Sequence, residues 1–423
     1  MTTAEPTSRS VAEVPQVGRL GGLLAAYFGV QLFVNVTNGA VVNSLIPNLI
    51  VQLAPQDKVA ILGGVGAIGA VAALVAQPIW GLLSDRTRSR WGRRAPWVLG
   101  GVVGLSASFL GLTAAGSVAL VLVVAGLIAL FYAMVAAPLA AVVPDRTPES
   151  RRGVFSALGS LGVFVGALIG IVFASAFVDA LSTGFAVMAA VVLIGGVPFA
   201  LWLRERPADD PEHASATVGR VSITETLKSF VISPREHPDF YWAFVARLVL
   251  MVGYWSIVSF QLYILDDYIG LGLERANQLF PVTTTILFLG IIVAVVPSGM
   301  ISDRIGRRKP FVVVSSIIVA ASTIVPILWP TVTGALVSVA VGGLGVGIYF
   351  AVDQALMTQV LPDATSAGKD LGVLNIAQAG GQVLAPLVAS LVIGLSGYAA
   401  LYAVSTVMAV LAAFAILPIR SVR

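Results

Sequence analysis

Gly81-Leu82-Leu83-Ser84-Asp85-Arg86 returns 218 positions later as Gly299-Met300-Ile301-Ser302-Asp303-Arg304, and Pro144-Asp145 returns at the same interval as Pro362-Asp363. Two markers sharing one offset imply a chain built from two related halves. Each marker closes an apolar run of the length that crosses about 30 Å of hydrocarbon as a helix, roughly 20 residues. Both copies fall in equivalent loops on the same side, so the repeat is parallel, with its axis along the membrane normal.

Outward from these loops the same reading holds throughout. Apolar spans are expected near 22–48, 59–84, 95–115, 118–142, 153–178, 182–203, 240–264, 277–302, 310–329, 332–360, 371–395 and 398–418. Apolar residues make up 57% and charged residues 11%, with a mean hydropathy of +0.94; a soluble domain carries about 25% charged residues. The fold class expected is an all-α membrane protein of twelve transmembrane helices in two pseudo-symmetric six-helix bundles. The first apolar run is too long for a signal-peptide core and is expected to remain as the first helix.

Of the 25 Lys and Arg, 22 fall at the termini or in the loops on one side of these spans, two (Lys58 and Arg275) fall on the other, and Arg247 lies inside a helix. Positive charge is retained on the cytoplasmic side during insertion. The expectation is therefore a multi-pass protein of the plasma (inner) membrane with both termini cytoplasmic. The net charge of +4 then reflects topology, and no nucleic-acid partner is inferred from it. Cysteine is absent and the two histidines, His213 and His237, sit in the central loop, so no metal centre or other cofactor is expected.

The longest polar stretch, rich in proline and mixed charge, separates the sixth and seventh spans. It divides the chain into a bundle at 1–203, a linker at 204–239 and a bundle at 240–423. Ser222-Ile223-Thr224-Glu225 fits a capping box, which predicts a short surface helix at 222–230. No nucleophile–base–acid constellation or phosphate loop is present. Gly63-Gly64-x-Gly66 lies in an apolar helix without the strand a nucleotide site needs, so an enzyme is not expected.

The loop Gly81-x-x-x-Asp85-Arg86 followed by Gly92-Arg93-Arg94, with its copy Gly299-x-x-x-Asp303-Arg304-x-Gly306-Arg307-Arg308, resembles the signature loop of the major facilitator superfamily. The resemblance extends over the chain through helix count, linker and repeat, and implies alternating access by rocking of the halves. Within it, Ser84 to Trp97 is similar to the corresponding loop of sucrose-type transporters and glycoside-pentoside-hexuronide:cation symporters. The sequence departs from those symporters in having no acid inside the second span, nor in the fourth before Asp145. Gly81 and Gly299 would let a helix end approach its neighbour closely. Asp85 and Asp303 sit at helix C-termini, where the macrodipole disfavours negative charge. They need outside partners, available only when the cytoplasmic side is closed, so the loop reads as a latch.

Ionisable groups inside a membrane are costly and mark function or pairing. Arg247, eight residues past Asp239, and Asp353, eight before Leu361, lie at matching depth. They are candidates for a coupling ion pair or for a static structural one. Gln31, Asn35 and Asn38 share one helix face, as do Arg247, Tyr254 and Gln261 with Trp255 beside them, and Asn375, Gln378 and Gln382. Amides and rings suit a polyhydroxylated solute, although amides also serve as packing glue between helices. The fifth span carries Gly159, Gly162, Gly166 and Gly170 without the Gly-Pro element of many drug/proton antiporters of the superfamily. The expected function is cation- or proton-coupled transport of a small hydrophilic solute, a sugar or glycoside, with lipid the other partner. The alternatives are a drug or metabolite exporter and a non-transporting membrane sensor.

Overall fold

The computed structural model describes residues 17–89, 91–203, 237–359 and 367–419. The expected helix at 222–230, most of the 204–239 linker and the Pro362-Asp363 marker lie outside the described residues. Lipid offers no hydrogen-bond partners, so a backbone crossing it must satisfy itself as helix. The spans are α1 (Leu20–Leu53), α2 (Lys58–Arg86), α3 (Ala95–Thr113), α4 (Val118–Arg146), α5 (Glu149–Ala174), α6 (Leu181–Trp202), α7 (Pro238–Ser259), α8 (Leu273–Ile305), α9 (Lys309–Leu328) and α10 (Val332–Gln359). A continuous run, Ala367–Ile416, follows. It is broken at Gly397, whose φ of 81° and ψ of −179° are not helical, which gives α11 (367–396) and α12 (398–416).

Local chemistry sets the ends. Proline stands in the first turn of α3, α7 and α9, where its missing N–H costs nothing. Ser117 caps α4 by accepting from the Leu120 N–H. Gly306, with φ of 65°, ends α8 in the left-handed conformation that glycine adopts freely. α1 is longer than the 22–48 expected from hydropathy. It passes through a π turn at Val41–Leu45 and continues to Leu53, carrying polar Ser44 and Asn48 inside the protein.

The two bundles repeat each other in packing. In the first, α1 packs on α5, α2 on α4, α3 on α4 and α3 on α6. In the second, the same order recurs as α7 on α11, α8 on α10, α9 on α10 and α9 on α12. Apolar side chains such as Leu74, Val123, Ile194, Val293 and Leu391 point outward with more than half their surface exposed, as a lipid-facing surface requires.

The glycines of α5 act at one seam. A Cβ added at Gly166 would lie 2.4 Å from the Leu32 carbonyl oxygen, and one at Gly170 would lie 2.0 Å from that of Val36. Backbone cannot yield as a side-chain tip can, so α1 and α5 depend on bare backbone to meet. Gly170→Ala is expected to destabilise the purified protein by about 1–3 kcal/mol. Gly153→Ala, whose Cβ would meet nothing within 4 Å, is expected to leave the melting temperature equal or higher. Thermal unfolding of both variants in detergent checks the pair.

Candidate functional site

A cavity of about 410 Å³ lies between the bundles. α1 gives it Asn38 and Asn43, and α5 gives Phe164. α7 supplies Tyr254 and Trp255, the turn after it Gln261, and α11 Gln378 and Gln382. The remaining wall comes from α8, α9 and α10 and includes Thr283, Thr284, Ser322, Thr323 and Ser338. Among the described residues lining it, none carries a formal charge.

Six of the residues expected in the cavity line it: Asn38, Tyr254, Trp255, Gln261, Gln378 and Gln382. Gln31 and Asn35 do not. The Gln31 side-chain amide donates to the Tyr27 hydroxyl at 3.3 Å, while that of Asn35 donates to the Gln31 carbonyl and accepts from the Tyr132 hydroxyl at 3.1 Å. Tyr27, one turn earlier on α1, takes Gln31, while Tyr132 of α4 takes Asn35, a partner that sequence spacing does not register. The Asn375 side chain lies outside the described residues. Asn43 was missed because it falls off the face of Asn38 at 3.6 residues per turn, and the π turn beside it brings positions five apart together. The five hydroxyl residues were missed because singly they read as ordinary helix positions.

Beside the cavity, Arg247 Nη2 lies 3.1 Å from Asp353 Oδ2, and the two side chains are 2% and 3% exposed. The same guanidinium donates to Gln378 Oε1, so a cavity-lining amide touches the pair directly. Arg247 Nε and Asp353 Oδ1 are buried without a hydrogen-bond partner. Among the described residues the structure thus holds one buried, incompletely hydrogen-bonded charge pair beside the cavity.

The end opposite the arginine-rich loops is closed. Lys58 Nζ, at the start of α2, bonds Asp266 Oδ2 and Asp267 Oδ1, each at 2.7 Å, and sits 5.0 Å from the centre of the Tyr263 ring. Tyr398 donates to Asp267 and Tyr263 to the Pro47 carbonyl. Asn48 and Asn277 exchange reciprocal amide hydrogen bonds of 2.8 and 2.7 Å. Below them α2 and α11 touch, since a Cβ on Gly63 would fall 2.3 Å from Ser390 Cβ and one on Gly66 the same distance from Pro386 Cβ. The hydrogen bonds and ion pairs joining the bundles among the described residues all lie at this end.

At the other end, each repeated acid meets an arginine of its own loop. Asp85 lies 3.4 Å from Arg94 and Asp303 3.6 Å from Arg308, and both arginines occupy the position just before the following helix. Arg94, buried to 4% side-chain exposure, also pairs with Asp145 and donates to the Pro138 carbonyl. Arg93 reaches Asp145 at 2.6 Å. Arg86, Arg304 and Arg307 are exposed, and Gly92, with φ of 89°, makes the turn before Arg93. The close helix approach expected at Gly81 and Gly299 is absent, because a Cβ at either would meet nothing within 4 Å. Among the described residues, no neighbouring helix reaches these two positions.

Two related six-helix bundles enclose a cavity whose wall mixes apolar side chains with amides and hydroxyls, and the family match identifies the chain as a membrane transporter. The sequence profile of the Major Facilitator Superfamily matches residues 28–287 and 277–423, and the chain belongs to that superfamily. Among solved structures it is similar to a D-xylose–proton symporter, with a TM-score of 0.71, 15% identity and 94% and 97% of the two chains covered. It is likewise similar to a nucleoside transporter, with a TM-score of 0.71, 16% identity and coverage of 94% and 99%. An uncharacterized symporter of Synechocystis sp. is 59% identical over 44 residues, which span 10% of this chain and 8% of that protein.

The glycine contact between α2 and α11 yields a direct test. Because the chain has no cysteine, a single Cys at Asn43 is a clean reporter of cavity access. Gly66→Leu cannot fit against Pro386 and is expected to raise labelling by an impermeant maleimide from the Lys58 side about tenfold, the effect of an overpacking cost near 1–3 kcal/mol. Gly69→Leu, whose nearest contact is an ordinary 3.8 Å to Ala129 Cβ, is the control expected to leave labelling unchanged.

Proposed function

We propose that this transporter moves a small hydrophilic solute, a sugar or glycoside, by proton- or cation-coupled alternating access. The observation that carries the reading is the juxtaposition of an uncharged amide- and hydroxyl-lined cavity with the buried Arg247–Asp353 pair, joined through Gln378. Rings such as Trp255 and Phe164 cover the apolar face of a sugar, while amides and hydroxyls meet its oxygens. Residues 1–203 and 240–423 are the two moving units and 204–239 their tether.

The arginine-rich end faces the cytoplasm of a plasma (inner) membrane, with both termini there, so the closure around Lys58 is on the outer side. The arrangement then corresponds to the outward-closed state. Asp85 and Asp303 form a cytoplasmic latch with Gly81, Arg86, Gly92, Arg93, Gly299, Arg304, Gly306 and Arg307. The 58% and 72% side-chain exposure of the two acids supports a latch that is undone in this state.

Arg247 and Asp353 couple the solute to the cation, because a buried pair beside the cavity must re-equilibrate whenever Gln378 turns to a solute. In proteoliposomes, Asp353→Asn is expected to abolish uphill accumulation of labelled glycoside while leaving exchange intact. A purely structural pair would instead give loss of folded protein, costing about 3–5 kcal/mol for one unpaired partner, that a double neutral replacement partly restores. Full accumulation by Asp353→Asn would refute the coupling role.

A further inference from the structure

A second groove, of about 400 Å³, opens on the outside of the first bundle at the arginine-rich end. Ser89 and Trp91 of the loop before α3 form one end of it, and Pro96, Leu99, Gly100 and Val103 of α3 form its length. These four positions follow i, i+3, i+4 and i+7, hence one helix face. Val103 on that face is 49% exposed, whereas Val98, Val102 and Leu105 are buried. The groove therefore lies on the surface that meets lipid, and from Pro96 to Val103 it runs about 10 Å along the helix.

The internal repeat shows that the fold does not require this groove. Asp85 and Arg94 are nine positions apart, but their counterparts Asp303 and Arg308 only five. The extra length lies between Arg86 and Gly92, where Thr87-Arg88-Ser89-Arg90-Trp91 stands in place of Ile305 alone. From Arg94 onward the two copies run in step again, so that Pro96 matches Pro310 and Gly100 matches Val314. Val314 is 50% exposed on the surface of α9. The second half thus presents a side chain where the first presents bare backbone, and its loop carries no tryptophan. The described residues of the longer loop are tied down. Thr87 accepts from Trp97 Nε1 and donates to the Leu83 carbonyl, both at 2.7 Å, and Ser89 accepts from the Trp91 and Gly92 N–H groups.

The loop is also unbalanced in charge. Arg93 and Arg94 are taken up by Asp145 and Asp85, while Arg88, next to Ser89, is exposed, as is Arg86. Tryptophan favours the boundary between hydrocarbon and water, and basic residues there attract anionic headgroups. We propose that this groove holds one anionic phospholipid, with an acyl chain along Pro96, Gly100 and Val103, Trp91 at the hydrocarbon boundary and the phosphate against Ser89 and Arg88. A neutral lipid would fill the groove without using the arginine. A second copy of this chain would bring its own arginine-rich loops to the same level of the membrane, like charge against like. The inference does not depend on which solute the protein carries.

Native mass spectrometry of the full-length protein, stripped of lipid in detergent, tests this by counting retained phosphatidylglycerol against phosphatidylcholine with the same acyl chains. One phosphatidylglycerol per chain is expected, preferred at least fivefold, the factor that about 1 kcal/mol from one arginine supplies. Arg88→Gln is expected to cut that preference about fivefold and to leave phosphatidylcholine retention as it was. Arg151→Gln, at an exposed arginine of another loop, is the control expected to leave the preference unchanged. Gly100→Val gives α3 the residue that α9 carries, and its Cβ would press only on the flexible tip of Met134, at 2.7 Å. It is expected to abolish retention of both lipids while unfolding at a temperature close to that of the parent. Trp91→Ala, a change in the loop, is expected to weaken both lipids and keeps the test open should Gly100→Val not fold. Equal retention of the two lipids by the parent, an equal loss of preference in Arg88→Gln and Arg151→Gln, or retention that survives both Gly100→Val and Trp91→Ala would each overturn the proposal. So would a lipid-free dimer that Gly100→Val dissociates, which would give the groove to a second copy of the chain.

Discussion

One ammonium group held between two carboxylates closes this protein at one end. Lys58 belongs to the first bundle, and Asp266 and Asp267 to the turn after α7 in the second, so their contacts at 2.7 Å fasten two bodies that elsewhere face each other across a cavity. Lys58 and Asp266 are largely buried, at 11% and 13% side-chain exposure, so desolvation offsets part of their attraction, while Asp267 is 36% exposed. What makes the closure effective is its company. Reciprocal amides at Asn48 and Asn277 sit buried beside it, and α2 and α11 meet without side chains at Gly63 and Gly66. Together these contacts fix which end of the cavity is shut.

Placement of the Arg247–Asp353 pair follows from the same constraint. Charges inside a membrane protein are tolerated where they face one another or an aqueous cavity, and here both conditions hold through Gln378. The pair is not fully satisfied, since one nitrogen and one oxygen are left without partners. A rigid structural pair would be better served by full hydrogen bonding. An incomplete one can change partners at lower cost.

Much of the architecture was legible in the sequence because lipid leaves few choices. A backbone crossing hydrocarbon must be helical, so apolar length gave the twelve spans, and the 218-residue repeat gave the pairing of bundles. Equal depth from the helix ends placed Arg247 and Asp353 at one level, and the structure sets them 3.1 Å apart. What failed to show were features that depend on the neighbour rather than the helix. Lys58 read as a stray loop charge because its partners lie 208 and 209 residues away. Asn35 shares the face of Asn38, but Tyr132 of α4 holds it elsewhere. Gly63 and Gly66 were noticed only to dismiss a nucleotide site, when their meaning lies in what crosses them. Arg94 and Arg308 stand in the repeated loop motif, but that each would meet the acid of its own loop from the position before Ala95-Pro96 or Lys309-Pro310 did not show in the sequence.

The lining of the cavity is unevenly shared. α1 and α5 bring two amides and a few apolar residues, whereas α7 to α11 bring Tyr254, Trp255, three amide-bearing residues and all five hydroxyls. Rocking of the bundles would therefore not tear a bound molecule between equal halves. Under the proposed rocking, the second bundle would be the seat and the first a cover, and a passenger would keep most of its bonds while the cover changes sides.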